Sequence, residues 1–460
     1  MLYISAVEAT RKTHIVVLGA GFGGMAFCKQ LMTNDVVITL VDRTNYHLFQ
    51  PLLYQVATCG LAATDIAQPI RTILSENNNL TVLLDKVEGF DLANKKVILD
   101  GNTLAYDYLV LALGGQTGYF GHAEWEEFAP GLKTLDDALR IRSRVLLSFE
   151  RAENEMNTAE HDKLMTVVIV GGGPTGVELA GSFAELTRTV LHREFRRIDP
   201  SQARIILIEG APNILGHLPA DLSASARRQL ESLGVEVRTS TQVKNISEGQ
   251  VELVGGHVIK AANILWAAGV SASPLSKKLG VPLDRGGRVK VNPDLSLPGH
   301  PEVFAIGDLA AVMQANGKPV PGVSPAAMQM GQHVARILTQ EIRFKADPAT
   351  RPAFKYRDKG TMATIGRSSA VAQLGPIKLT GIVAWMAWLV VHIVFLVGFR
   401  NRAAVIFQWG YSYFSFRRSA RIITYLPRQD AGTRPLAESG APVGLGFGSF
   451  NAAPVSPSSR

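Results

Sequence analysis

Only two cysteines occur in the 460 residues, Cys28 and Cys59, and no CxxC or CxxxxC spacing joins them. That excludes a disulfide framework and a vicinal thiol-redox pair, and both are read as structural residues. Charge is sparse as well. Charged residues make up 19% against 47% hydrophobic, which argues against global disorder and allows a large core. The opening "MLYISAVEATRKTH" lacks the long apolar core of a secretion signal. It carries Glu8 and few basic residues, so it does not read as a transit peptide. The expectation is a chain that stays in the compartment where it is made. Long apolar runs are scarce too. One, "GIVAWMAWLVVHIVFLVGFRNR" at 381–402, reaches the roughly 20 residues a membrane-crossing helix needs. The formal net charge is +8, with Arg400, Arg402, Arg417, Arg418 and Arg421 crowded beside that run. This placement favours an anionic membrane surface over nucleic acid. From about Pro427 onward, Pro, Gly, Ser and Ala dominate and disorder is expected.

Glycine, by contrast, is plentiful and patterned. In "THIVVLGAGFGGMAFCKQL" a strand-like run leads into Gly19-x-Gly21-x-x-Gly24 and a helical pattern, and "VVITLVD" ends at Asp42. Such spacing suits a dinucleotide. Gly19 allows a tight turn, Gly21 lets the backbone approach a pyrophosphate, and Gly24 allows close helix–strand packing. The helix N-terminus offers free N–H groups to phosphate, and Asp42 can accept from a ribose. The plainer alternative is a glycine turn without a ligand. The arrangement recurs in "LMTVVIVGGGPTGVELAGSFAEL", with Gly171, Gly173 and Gly176, and in "ARIILIEGAP", ending at Glu209. The gap to Glu209 is lengthened by "TRTVLHREFRRIDPSQ". A carboxylate there accepts a ribose 2′-hydroxyl and repels a 2′-phosphate, which favours NADH over NADPH.

Two cradles predict two dinucleotides, a tightly held flavin and an exchangeable nicotinamide. "YDYLVLALGG" (106–115) and "PEVFAIGDLA" (301–310), the latter with Gly307-Asp308, read as further strands closing on glycines. With these segments, residues 12–335 resemble the two-dinucleotide-binding-domain flavoproteins, the glutathione-reductase-like group. The resemblance implies an α/β fold of two Rossmann-like domains with FAD on the first cradle. It also implies that Gly307 and Asp308 return to the FAD side near the ribityl-phosphate region. The expected organisation is an FAD domain at 12–125 and 286–340, an inserted NADH domain at 126–285, a C-terminal membrane-attachment region at 341–426, and a tail at 427–460.

Further stretches narrow the resemblance. "NYHLFQPLLYQVATCGL", "GPTGVELAG", "ILWAAGV" with Gly269, "VFAIGDLA", "KYRDKGTMATIGRSSAV" and "WLVVHIVFLVGFRNR" are similar to segments of the single-subunit, non-proton-pumping (type II) NADH:quinone oxidoreductases. The resemblance implies NADH oxidation through FAD with reduction of a membrane quinone. It also implies a homodimer, monotopic attachment and, as localisation, the cytoplasmic face of the bacterial inner membrane. Where the family often carries AQxAxQ, "SPAAMQMGQ" keeps Ala327 and Gln329 but has Ser324-Pro325 first. The resemblance therefore carries Gln329 as a quinone-site residue, and Glu178 as an acid near nicotinamide and flavin. The bland reading of Glu178 is a helix-N-terminal acid. Lys359 reads as a surface lysine, and His47 and Gln55 as residues bonding within their loop. For 381–402, two membrane-surface helices are favoured over a span or a buried core helix, with Trp385, Trp388 and Trp409 as interface anchors. The alternatives are another FAD-dependent quinone reductase, such as a sulfide:quinone oxidoreductase, and a non-catalytic NADH-sensing membrane protein.

Overall fold

The computed structural model describes residues 11–424 except 32, 34, 315, 397 and 416–419, and omits the side chains at 399, 400, 412, 414 and 415. The Arg400 side chain, Arg417, Arg418 and the tail from 427 therefore lie outside the described residues.

Two runs of apolar residues become the central strands of two sheets. In Thr13–Leu18 the last four residues are fully buried, as expected of a parallel strand covered on both faces. Its neighbours are Val36–Asp42 on one side and Tyr108–Leu111 on the other, with Val17 opposite Leu40 and Val110. The sheet continues to Leu80–Leu84 beyond the first neighbour. Beyond the second it continues to His300–Ala305 and then the antiparallel Ser296–Leu297. Sequence-distant strands thus share one sheet. The second sheet is wholly parallel, in the order Val235–Arg238, Arg204–Ile208, Thr166–Val170, Asn263–Trp266. The chain crosses between the two through an antiparallel ribbon, Gly115–Thr117 paired with Val270–Ala272.

Helix Phe22–Gln30 follows the first strand, and helix Pro174–Glu185 follows Thr166–Val170. The long helix Ser324–Phe344 lies against the first of these so closely that a Cβ on Gly331 would sit 2.2 Å from the Gly23 carbonyl oxygen. Glycine is what permits that approach. Near the far end of the long helix, Arg351 bonds the buried Glu341 through Nη2 at 2.9 Å and Asp294 through Nη1 at 3.1 Å. These bonds fasten the following segment to the first sheet.

C-terminal strands Thr361–Gly366, Ser369–Leu374 and Ile377–Thr380 form a small antiparallel sheet. Helix Pro174–Glu185 abuts it. A Cβ on Gly181 would fall 1.5 Å from the Ile365 carbonyl oxygen. The apolar run then divides into helices Gly381–Phe395 and Phe399–Ser415. Leu396 turns extended at ψ 132° and Gly398 takes φ +86°, which ends the first helix. At 15 residues it is about 22 Å long, short of the roughly 30 Å hydrocarbon layer. Among the described residues no helix is long and apolar enough to cross a membrane.

One face of helix Gly381–Phe395 packs inward through Ala384 and Trp388, while Ile382, Val383, Met386, Val390 and Val394 stay exposed. The expectation that Trp388 and Trp409 are interface anchors is corrected. Trp388 is 1% exposed, lies 5.4 Å from Trp409 and stacks on His392 at 4.1 Å. Trp409 Nε1 donates to Gln55 Oε1 at 2.8 Å. Both indoles are spent on joining the two helices to the body of the protein. Trp385 is half-buried, 5.6 Å from Tyr413. Burial pushes His392 down to about 4, so it is neutral near pH 7, bonded through Nδ1 to the Trp388 carbonyl.

Candidate active site

The two cradles are built alike, glycine for glycine. Gly19 has φ +103° and Gly171 φ +112°, a region that residues with a Cβ rarely enter. Each also lies against a neighbouring strand end, where a Cβ would come within 2.3 Å of Ala112 O and 2.6 Å of Ala267 C. A Cβ on Gly24 would fall 1.9 Å from Gly19 O, and one on Gly176 1.8 Å from Gly171 O. The third glycine of each cradle therefore serves its own loop first. Gly21 and Gly173 are different, since a Cβ there would meet nothing within 4 Å. They face open space as helix N-caps without side-chain caps, leaving first-turn N–H groups for an anion.

Both strand-end carboxylates reach back to their loops. Asp42 accepts from Ala20 N at 2.7 Å, and through its other oxygen from Thr44 N and Oγ1. Glu209 accepts from Gly172 N at 2.6 Å and from Ala211 N at 2.7 Å. These bonds fix each carboxylate beside its glycine loop, with lone pairs left for ribose hydroxyls.

A cavity of about 370 Å³ opens beside the first sheet, lined by residues that include Ser271, Arg288, Gly307, Asp308, Gly322 and Ala327. Gly307 has φ +69° and donates its N–H to Met330 Sδ. The half-buried Asp308 carboxylate has no hydrogen-bond partner among the described residues. The uncapped N-terminus of helix Ser324–Phe344 reaches the same cavity through Val323, Ala326 and Ala327. An open cradle, a carboxylate with no partner among the described residues and a positive helix end together suit a phosphate- and hydroxyl-bearing cofactor such as FAD. Ser271, Arg288 and Gly322 were not foreseen. Ser271 lies in the crossing ribbon and the other two in loops with no spacing signal, and Arg288 is aimed by its bond to Asp284 at 2.8 Å.

Gly307, Asp308 and Ala327 meet at this cavity, whereas Glu178 and Gln329 are not among its lining residues. Glu178, on the second cradle helix, faces the C-terminal sheet. Burial raises its pKa well above the usual carboxylate range, opposed by a backbone hydrogen bond from Thr364. Gln329 pairs both ends of its amide with the Arg357 backbone at 3.0 Å, clamping the 351–360 segment to the long helix. Gly269, at φ +89°, lies between Gly118 O and the Phe120 ring. His47 bonds Ala20 O in the first cradle rather than its own loop. Gln55 reaches both Tyr54 OH and Trp409. Lys359 is exposed, its head 5.6 Å from the centre of the Phe395 ring. Cys28 and Cys59 are buried and form no disulfide, and burial pushes the Cys28 thiol up to about 12, so it is inert near neutral pH.

Two cradles on two sheets, the second wholly parallel and the first parallel but for Ser296–Leu297, with the second inserted in sequence between strands of the first, define a flavoprotein of the two-dinucleotide-binding class. The pyridine nucleotide-disulphide oxidoreductase profile matches residues 13–331, and the NDH2 C-terminal domain profile matches residues 359–418. Type II NADH:quinone oxidoreductase NdhA of Mycobacterium tuberculosis is 44% identical over 423 residues, 89% of each chain. The type II enzyme Ndh of the same organism is 43% identical over 91% of each chain. The chain belongs to the type II NADH:quinone oxidoreductase family. The solved structure of NDH2 from Plasmodium falciparum in complex with NADH shares the fold at TM-score 0.82 and 21% identity, covering 89% of this chain and all of that one. A sulfide:quinone oxidoreductase from Aquifex aeolicus shares it less closely, at TM-score 0.63 and 21% identity over 87% of this chain and 95% of that one.

Proposed function

We propose that the protein oxidises NADH and reduces a quinone through bound FAD, without pumping protons. The observation that carries this is the pair of matched cradles, each with its carboxylate held on the loop, one of them on the sheet that bears the Asp308 cavity. Bound FAD supplies an acceptor for the NADH hydride and a donor of two electrons to the quinone. Gly21, on a loop that Gly19 and Gly24 shape, would hold its pyrophosphate and Asp42 its adenosine ribose, and Gly307, Asp308 and Ala327 would hold its flavin-side half. Gly171, Gly173, Gly176 and Glu209 hold NADH, with Gly269 at its nicotinamide end. The absence of a vicinal cysteine pair, with Cys28 and Cys59 buried, favours this reading over sulfide oxidation.

Glu178 is assigned as a proton-holding group on the quinone side. Its raised pKa keeps it protonated where an ordinary glutamate is ionised, and its neighbour is the C-terminal sheet that carries the apolar helices. Gln329 acts one step back, by fixing Arg357 and the segment that leads into that sheet. The exposed apolar faces of the last two helices, including Val383, Met386, Val390, Ile406 and Phe407, are assigned to one leaflet of an anionic membrane. The surface is proposed to be the cytoplasmic face of the bacterial inner membrane, and the assembly a homodimer. Flotation with anionic liposomes, combined with NADH-dependent reduction of a liposomal quinone, tests the reading. Failure of both sinks it.

A further inference from the structure

Strand order alone fixes the direction of the nucleotide on the second sheet. Glu209 follows Arg204–Ile208, the glycine loop follows Thr166–Val170, and Gly269 follows Asn263–Trp266, the next strand over. Ligands bind at the carboxyl ends of such strands. A nucleotide with its adenosine ribose on Glu209 and its pyrophosphate on the loop must send its other half across the end of Asn263–Trp266. Beyond that end come Val270 and Ser271, which line the Asp308 cavity.

Phe120 stands at that crossing. It is 74% exposed, although its neighbour Tyr119 is buried, stacked on Trp266 at 5.6 Å. Its φ is +53°, a left-handed backbone that is uncommon for a bulky residue. Its ring packs edge-on to Trp266 at 6.0 Å, and a Cβ on Gly269 would fall 2.8 Å from its Cζ. The backbone leading to it is held in place. Trp266 Nε1 donates to Gly118 O at 2.9 Å, and Gly118 N donates to Gly269 O at 3.3 Å. The ribbon Gly115–Thr117 with Val270–Ala272 leads straight into it. A strained backbone that keeps a large apolar ring in water, beside a cofactor glycine, needs a reason other than core packing.

We propose that Phe120 is a positioning residue for the nucleotide, its ring covering the nicotinamide half where it leaves the second cradle. The proposal rests on the NADH reading above. Calorimetric titration of NAD⁺ and of ADP-ribose, which lacks the nicotinamide, into the oxidised holoprotein tests it without turnover. The Phe120→Ala variant should weaken NAD⁺ binding roughly threefold to tenfold, the range for loss of one ring contact, and leave ADP-ribose binding unchanged. The Phe120→Tyr variant, which keeps the ring, should restore NAD⁺ binding. Unchanged NAD⁺ affinity in Phe120→Ala, or an equal loss for both ligands, overturns the proposal. If the unmutated protein binds neither ligand, the NADH reading itself falls and this proposal with it.

Discussion

The Glu209 carboxylate accepts the amide hydrogen of Gly172 at 2.6 Å, so the acid that would meet the adenosine ribose is locked to the loop that would meet the pyrophosphate. A 2′-phosphate would have to displace or face this fixed negative charge. NADH should therefore be strongly preferred over NADPH. In Glu209→Gln that preference, read as the ratio of kcat/KM values, should narrow by roughly tenfold. Equal kcat/KM for both nucleotides in the unmutated protein would remove the assignment.

Asp308 faces the cavity without a hydrogen-bond partner among the described residues, so its loss should not disturb the fold. Asp308→Ala should purify with a lowered flavin-to-protein ratio and bind added FAD about ten- to a hundredfold more weakly, the worth of one hydrogen bond to a charged group. Its secondary structure by circular dichroism should be unchanged. Full flavin occupancy in the variant counts against the cavity as the FAD site.

Burial raises the Glu178 pKa well above the ordinary carboxylate range, against a backbone hydrogen bond from Thr364 that lowers it. A carboxyl whose folded pKa lies above its unfolded value binds more protons when folded. Its contribution to stability is neutral below the unfolded pKa and becomes a cost as pH rises through the folded one. Glu178→Gln should therefore raise Tm at pH values above the folded pKa and leave it unchanged in acid. If Glu178 supplies a proton to the quinone, the same variant should lower quinone-dependent kcat by on the order of a hundredfold while NADH still reduces the flavin. A Tm gain that is the same at every pH contradicts the titration argument. Unchanged quinone turnover contradicts the proton role.

The exposed face of helix Gly381–Phe395 can be tested without removing it. Deleting the chain from Ile377 would also take Trp388, Leu396 and Val405 out of the core, so loss of flavin in such a truncation reports on folding. The double change Met386→Glu and Val390→Glu alters only exposed positions. It should reduce partition onto anionic liposomes by more than about tenfold, given roughly 1.5–3 kcal/mol for each large apolar side chain buried. Reduction of a short-chain soluble quinone should stay within about twofold of the parent. A variant that still floats with liposomes would assign this face to something other than lipid.

Much of this was legible in the sequence because dinucleotide cradles depend on local backbone chemistry. Gly19 and Gly171 need positive φ, Gly21 and Gly173 need open space, and an acid ends the next strand. Local periodicity carries all three signals. The C-terminal region was harder to read. Trp388 and Trp409 have the chemistry of interface residues, and only the packing shows them turned inward against His392 and Gln55. Gln329 matched a motif position, yet its amide is occupied by the Arg357 backbone, a partner 28 residues away that no pattern marks. Phe120 and Arg288 gave no signal, since exposure and cavity lining follow from which loops meet after the two sheets have formed.

The central claim is tested most directly by an anaerobic titration of the purified, flavin-loaded protein with NADH, followed by a short-chain quinone. The flavin absorbance should bleach with one equivalent of NADH and return with one equivalent of quinone. Flavin that stays oxidised in excess NADH, or reduced flavin that quinone fails to reoxidise, would contradict it.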